Sequence, residues 1–131
     1  MSLENSVLGL AHIGIRVHNL TRSQTFYQLL GFKLAWGPFG PEKVTAMTHA
    51  SGLEINLIVN APDPKSPNVL MYLPEKHAGF THLALRVSDI ASTEAALVAA
   101  GVPITGRRGK APVNAVFVRD PDGNVLELAA D

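Results

Sequence analysis

The sequence has no cysteine among its 131 residues. A chain without cysteine cannot form a disulfide framework, use a thiolate as a nucleophile or bind a metal through sulfur. Any metal must therefore be held by histidine, by carboxylate or by water.

A net charge of either sign is also missing, since 11 Lys and Arg residues balance 11 Asp and Glu residues. Without an overall field, neither nucleic acid nor an anionic membrane is an expected partner. No apolar run reaches the length of a membrane span, and the N-terminus lacks a basic region followed by an apolar core. We therefore expect a cytoplasmic protein. The glycines between Gly37 and Gly40 lack phosphate-loop spacing, so no nucleotide site is predicted.

An internal repeat is the main feature that the sequence does contain. The stretch GLAHIGIRV at Gly9–Val17 recurs as GFTHLALRV at Gly79–Val87, a shift of 70 positions. Each copy carries a histidine and, four residues later, an arginine. Such self-similarity indicates a duplicated structural unit.

Each copy has the pattern of a strand, a helix and three further strands, which predicts an α+β fold of two tandem βαβββ modules. The whole chain, 1–131, then forms one domain, with module 1 at about 8–60, a proline-rich connector at about 61–78 and module 2 at about 79–130.

Several local features of these modules are also predicted from residue type. Thr21 and Gln24 form a capping box for the first helix, whose apolar stripe is Phe26, Leu29 and Leu30. The Gly37–Pro41 stretch is predicted as a loop, and Val69–Leu73 as a short extended piece.

Candidate metal ligands emerge when the repeat is followed to its last strand. At the Asp120–Gly123 turn, the offset between the two copies is predicted to change from 70 to 73 residues. This offset aligns Leu53–Ile55 with Leu126–Leu128, and so pairs Glu54 with Glu127. Strand alternation places the histidines and glutamates opposite the apolar faces. Four ionisable groups are costly to bury together, and a divalent cation would compensate that cost. The predicted ligands are His12, Glu54, His82 and Glu127, for one Ni, Co, Zn, Mn or Fe ion per site.

These motifs resemble the vicinal oxygen chelate superfamily, which includes glyoxalase I, bleomycin resistance proteins and extradiol dioxygenases. The resemblance covers about Gly9 to Ala130 and rests on AHIGIRV, THLALRV, FYQLLGF and DPDGNVLEL. It implies a curved, cup-like mixed sheet with helices on its outer face. It also implies a homodimer, with the site either within one chain or across two.

The resemblance also suggests an activity. A set of four ligands is most like glyoxalase I. Fosfomycin-modifying enzymes and extradiol dioxygenases usually use two His and one Glu. Another member of the superfamily, methylmalonyl-CoA epimerase, usually has Gln where Glu54 stands. The leading hypothesis is a metal-dependent lyase or isomerase of the glyoxalase I type. The metal would chelate vicinal oxygens of a small substrate while Glu127, or else Glu54, transfers a proton. The alternatives are an epimerase, an extradiol-type dioxygenase and a non-catalytic, antibiotic-sequestering binding protein.

Three residues are predicted to bind the substrate, which is either thiol-conjugated or another small molecule. Arg16 occupies the position from which glyoxalases contact a glutathione carboxylate, Arg86 is its repeat, and Asn56 lies near the first glutamate. Bacterial glyoxalases place a glutathione-contacting Asn four residues after that glutamate, where this chain has Ile58.

The other basic residues are expected to play no part in the site. The basic run is expected to be solvated: Arg107, Arg108 and Lys110. Three histidines without a duplicated partner are expected at the surface or in loops: His18, His49 and His77.

Overall fold

The computed structural model describes residues 3–62 and 67–130. The chain divides into two compact units, residues 1–64 and 65–131, which correspond to module 1 and module 2. Each is described by itself.

Module 1 consists of one helix and a four-stranded mixed sheet. Its elements are β1 (Ile13–Arg16), α1 (Leu20–Leu29), β2 (Lys33–Phe39), β3 (Val44–Thr48) and β4 (Glu54–Ile58). The strand order is β1-β4-β3-β2, in which β1 and β4 are parallel and the other pairs are antiparallel.

Module 2 repeats this topology after a short additional helix. Its elements are α2 (Val69–Tyr72), β5 (Leu83–Arg86), α3 (Ile90–Ala99), β6 (Gly106–Arg108), β7 (Ala115–Arg119) and β8 (Val125–Ala129). The strand order β5-β8-β7-β6 matches that of module 1, again with a parallel first pair. The predicted α+β fold of two βαβββ modules is confirmed, with one open four-stranded sheet in each.

The core of each module lies on one face of its sheet. In module 1, Ile55 and Leu57 of β4 are at most 1% exposed. In module 2, Leu126 and Leu128 of β8 are equally buried. Because strand side chains alternate, residues between these buried positions lie on the opposite face, where the predicted ligands were expected.

The prediction for the start of α1 is wrong in detail. Asn19, rather than Thr21, is the N-cap, and its side chain accepts a hydrogen bond from the backbone N–H of Arg22. Asn is as good a cap as Thr, and here it precedes the predicted box. The predicted apolar stripe also differs, because Leu29 is 52% exposed while Tyr27 is completely buried.

Two predictions outside the helices need correction. The Gly37–Pro41 loop is in part a strand, because β2 continues to Phe39 through two register irregularities, the second of which spans Gly37 and Pro38. The Val69–Leu73 stretch is helical over Val69–Tyr72 instead of extended. Tyr72 packs against Arg119, whose guanidinium carbon lies 5.4 Å from the ring centroid, so tertiary contact outweighs local strand preference there.

Among the described residues, no helix is long and apolar enough to cross a membrane. The cytoplasmic location stays a prediction.

Candidate metal centre

The polar face of module 1 is formed by β1 and β4. The parallel register aligns Gly14 with Asn56 and Arg16 with Ile58, while Ile13 aligns with Ile55 on the buried face. His12 immediately precedes β1 and Glu54 begins β4. By strand alternation both belong to the face that carries Asn56.

A single amide connects the two predicted ligands of module 1. In the orientation that satisfies both ends of the Asn56 amide, its oxygen accepts a hydrogen bond from His12 Nε2 at 3.2 Å and its nitrogen donates to Glu54 Oε2 at 3.0 Å. The Asn56 side chain is well buried, with the residue 7% exposed. Asn56, predicted to bind substrate, therefore contacts the candidate ligands in this structure.

The polar face of module 2 brings His82 and Glu127 together. His82 Nε2 lies 3.8 Å from Glu127 Oε1, and the Glu127 side chain is 13% exposed. The other ring nitrogen of His82, Nδ1, lies 2.8 Å from the hydroxyl of Thr81. Nε2 of His82 therefore faces Glu127, and Nδ1 faces Thr81.

Arg108, which the sequence predicts to be solvated, lies on this face and contacts Glu127. Its guanidinium lies 3.5 Å from Glu127 Oε2, while β6 places Arg107 on the opposite side. Arg107 instead pairs with Glu94 at 2.9 Å, and this hydrogen bond raises the pKa of Arg107. The two neighbouring arginines thus have separate partners.

The strand register corrects the predicted alignment of the two modules. Ile13 of β1 pairs with Ile55, and its repeat Leu83 pairs with Leu126, which gives a spacing of 71 residues (126 minus 55) instead of 73. The antiparallel neighbours agree, since Ala46 faces Asn56 as Phe117 faces Glu127. The structural counterpart of Glu127 is therefore Asn56, and that of Glu54 is Val125.

The turn glycines carried a sequence signal for this register. Gly52 and Gly123 each precede the last strand of their module, and both have positive φ angles, of 98° and 82°. Their spacing is also 71 residues (123 minus 52). The register of the last strands therefore follows these glycines, and the predicted alignment of the two Leu-Glu pairs is wrong.

The corrected register moves another predicted position. Bacterial glyoxalases have a glutathione-contacting Asn four residues after the first-module ligand. Counted from Asn56 instead of Glu54, the equivalent residue of this chain is Asn60 and not Ile58. Asn60 accepts a hydrogen bond from Arg16 Nε at 2.8 Å. Arg86, the repeat of Arg16, is an exposed residue of β5.

Module 2 contains two donor atoms of the types that divalent metals bind. Among residues 3–62 and 67–130, no group of three or more His, Asp or Glu side chains is placed to hold a metal ion. Module 2 alone offers an imidazole and a carboxylate with donor atoms 3.8 Å apart, close to the separation of two ligands on one ion. This pair fits a Mn, Fe, Ni, Co or Zn ion that takes further ligands.

Two unduplicated histidines, His18 and His49, lie within module 1. His49 accepts a hydrogen bond from the backbone N–H of Ser51 through Nδ1, and its ring packs against Phe32. His18 is partly buried and follows β1. Both lie outside the helices and strands, as the sequence predicts.

Comparison with solved structures places this fold among known relatives. A glyoxylase/bleomycin resistance protein/dioxygenase domain from Frankia sp. EAN1pec superposes with a TM-score of 0.75 at 21% identity, covering 95% of this chain and 92% of that one. FosX, a fosfomycin resistance protein from Listeria monocytogenes, gives a TM-score of 0.71 at 21% identity, covering 95% and 91%. A FosX variant complexed with Mn(II) and 1S,2S-dihydroxypropylphosphonic acid gives 0.71 at 20% identity, covering 95% and 92%.

These identities show a common fold, and no curated protein matches the sequence significantly. The sequence model of one family covers almost the whole chain, from residue 9 to residue 128. The chain belongs to the Glyoxalase/Bleomycin resistance protein/Dioxygenase superfamily.

Proposed function

We propose that this protein is a metal-dependent lyase or isomerase that moves a proton between adjacent carbons of a small, oxygen-bearing substrate. The single observation that supports it most is the pairing of His82 Nε2 with Glu127 Oε1 at 3.8 Å on the polar face of module 2. The proposed ligands are His12, His82 and Glu127, with one divalent cation per site.

Glu54 has a different role in this proposal from the one first expected. Because Asn56 occupies the position equivalent to Glu127, the protein donor set becomes two His and one Glu, with an amide at the fourth position. Glu54 is then a carboxylate held beside the site by Asn56 and able to accept a proton. The rival, a glyoxalase I-type set of four ligands, makes Glu54 a ligand.

The chemistry divides between the metal and the chain. A divalent cation held by His12, His82 and Glu127 would act as a Lewis acid toward the oxygens of the substrate and would make the adjacent C–H bond more acidic. Glu54 accepts that proton and returns it to the neighbouring carbon. Asn56 keeps the carboxylate oriented while this happens, because its N–H donates to Glu54 Oε2.

A carboxylate on the substrate is the proposed partner of Arg16 and Asn60. Arg16 provides a guanidinium that suits a carboxylate, and Asn60 holds its Nε at 2.8 Å. Thiol-conjugated substrates such as glutathione adducts carry such groups. The homodimer expected from the family resemblance is part of the same proposal.

Reconstitution with Mn(II), Ni(II), Co(II) or Zn(II), followed by an assay with the methylglyoxal–glutathione hemithioacetal, tests the activity. Glu54→Gln should abolish turnover and proton exchange with deuterated water while retaining the metal. Turnover that persists in Glu54→Gln contradicts its role as base. Absence of turnover with every metal, despite stoichiometric binding, excludes this substrate.

A second candidate is the addition of water to the epoxide of a phosphonate substrate, which would give a diol such as the 1S,2S-dihydroxypropylphosphonic acid bound in the FosX structure. The observation that favours it here is Arg108, an anion-binding side chain 3.5 Å from Glu127. Opening of fosfomycin by the Mn(II)-loaded protein, lost in Arg108→Ala but retained in Arg107→Ala, would support this candidate over the first.

A further inference from the structure

The two candidate histidine ligands are held through different ring nitrogens. His82 meets the Thr81 hydroxyl through Nδ1 at 2.8 Å, which leaves Nε2 directed toward Glu127. His12 meets Asn56 through Nε2 at 3.2 Å. Since the His82 partner differs from the His12 partner, the two ligands are not equivalent despite the duplication.

The sequence explains why this difference is built into the chain. The residue before His82 is Thr81, but the residue before His12 is Ala11, whose methyl group cannot form a hydrogen bond. The second partner also differs, because the counterpart of Glu127 in module 1 is Asn56. The residues that contact His82, Thr81 and Glu127, are therefore not repeated around His12.

The physical consequence concerns the nitrogen available to a metal. When Thr81 accepts a hydrogen bond from Nδ1–H of His82, the Nε2 lone pair faces Glu127 and is ready to coordinate. When His12 donates Nε2–H to the Asn56 oxygen, the same nitrogen carries a proton and must exchange it before coordinating. Histidine ligands are commonly oriented by a hydrogen bond to the second nitrogen, and loss of that partner costs about 10- to 100-fold in metal affinity.

We propose that module 2 anchors the metal and that Thr81 is the residue that positions His82 for it. This inference rests on the proposed metal-dependent function. It assigns Thr81 a positioning role, and it makes the contributions of the two histidines unequal.

Titration with Mn(II) alone, followed by electron paramagnetic resonance of the free ion, measures the effect. Thr81→Val keeps the shape but removes the hydroxyl, and should weaken Mn(II) binding about tenfold. Thr81→Ser keeps the hydroxyl and should bind like the wild type. His82→Ala should weaken binding more than His12→Ala. Thr93→Val, which removes a hydroxyl that donates to the Asp89 carbonyl instead of contacting His82, is the matched control and should leave Mn(II) affinity unchanged.

Imidazole ¹⁵N chemical shifts in the Zn(II)-loaded protein provide a second readout, which a merely structural role of Thr81 would not produce. His82 should bind the metal through Nε2 and keep its proton on Nδ1, which faces the Thr81 hydroxyl, and Thr81→Val should change the Nδ1 shift of His82 only. Wild-type affinity in Thr81→Val, or metal on Nδ1 of His82 in the wild type, overturns the inference while leaving the proposed function intact. Failure of the wild type to bind Mn(II), Ni(II), Co(II) and Zn(II) overturns the proposed function itself.

Discussion

At the scale of single residues, the replacement of one glutamate by Asn56 is the feature that most affects the chemistry. A neutral amide oxygen at the position equivalent to Glu127 attracts a divalent cation less strongly than a carboxylate. At the same time, the amide nitrogen can hold a second carboxylate, Glu54, which a glutamate at this position could not do. In the proposed function, Asn56 would therefore leave Glu54 free of the metal and available for proton transfer.

Asn56→Glu should restore a fourth protein ligand and tighten Mn(II) binding by about tenfold or more, because a carboxylate replaces an amide beside the cation. The measurement is Mn(II) affinity by equilibrium titration. The control is Asn60→Glu, which introduces a carboxylate just beyond the end of β4, next to Arg16 instead of His12. Equal effects of the two variants would mean that added charge alone tightens binding.

Arg16→Ala should raise KM for a glutathione-conjugated substrate about tenfold and leave kcat nearly unchanged, since the lost contact is equal in the ground state and the transition state. Steady-state kinetics with the metal-loaded protein measure this split. Arg107→Ala removes a guanidinium that pairs with Glu94 and should alter neither constant. A fall in kcat with unchanged KM for Arg16→Ala would place Arg16 in the chemical step instead.

At the scale of elements, the duplicated helices begin at equivalent caps with different chemistry. Asn19 caps α1 and Asp89 caps α3, each through a side-chain oxygen that accepts from the backbone three residues on. The hydrogen bonds from Ser92 lower the pKa of the Asp89 carboxyl below its usual 3.8. Only the cap of α3 should therefore depend on pH.

Asp89→Ala should reduce the free energy of unfolding at pH 7, because a cap and its charge are lost. Since the folded-state pKa of Asp89 is lowered, its stabilisation is fully present above the unfolded pKa and disappears as pH falls through the folded value. The difference between wild type and Asp89→Ala, measured by urea unfolding, should thus shrink below about pH 3.8. Asn19→Ala should show a loss independent of pH over the same range.

The turn before each final strand offers a matched pair of glycine substitutions. Gly52 and Gly123 both have positive φ, so alanine should cost about 1 kcal/mol or more at either position. An added Cβ at Gly123 would also lie 2.6 Å from the Tyr72 side chain, while at Gly52 it would meet open space. Thermal or urea unfolding should therefore find Gly123→Ala the more destabilising variant, and equal losses would contradict the packing of Tyr72 on this turn.

At the scale of the whole molecule, repetition made the fold predictable from the sequence. The duplicated strand motif and the helix and strand patterns that follow it suffice to predict two βαβββ modules, because strand alternation and helix periodicity are local. These local patterns do not show that Asn56 is the counterpart of Glu127, since register is decided by hydrogen bonding between distant strands, and only the spacing of the turn glycines indicates it. The contacts of Arg108 with Glu127 and of Thr81 with His82 are not predictable from repeated spacing either, because neither contact is duplicated in the other module.

Large apolar side chains remain exposed in both modules and support the proposed homodimer. Leu10 and its repeat Phe80 are 70% and 95% exposed, respectively. Such side chains are typical of surfaces that another subunit covers. Light scattering after size-exclusion chromatography should give twice the chain mass of 14.0 kDa, and Phe80→Asp should shift it toward the monomer. A wild-type protein at the monomer mass at all concentrations would contradict the dimer.

The proposed ligand set is tested most directly by Mn(II) stoichiometry and affinity in the wild type, Glu127→Gln and Glu54→Gln. The expected result is one ion per site in the wild type, a loss of about 100-fold or more in affinity for Glu127→Gln, and nearly unchanged affinity for Glu54→Gln. Equal losses in the two variants would contradict the set of His12, His82 and Glu127 and restore Glu54 as a fourth ligand.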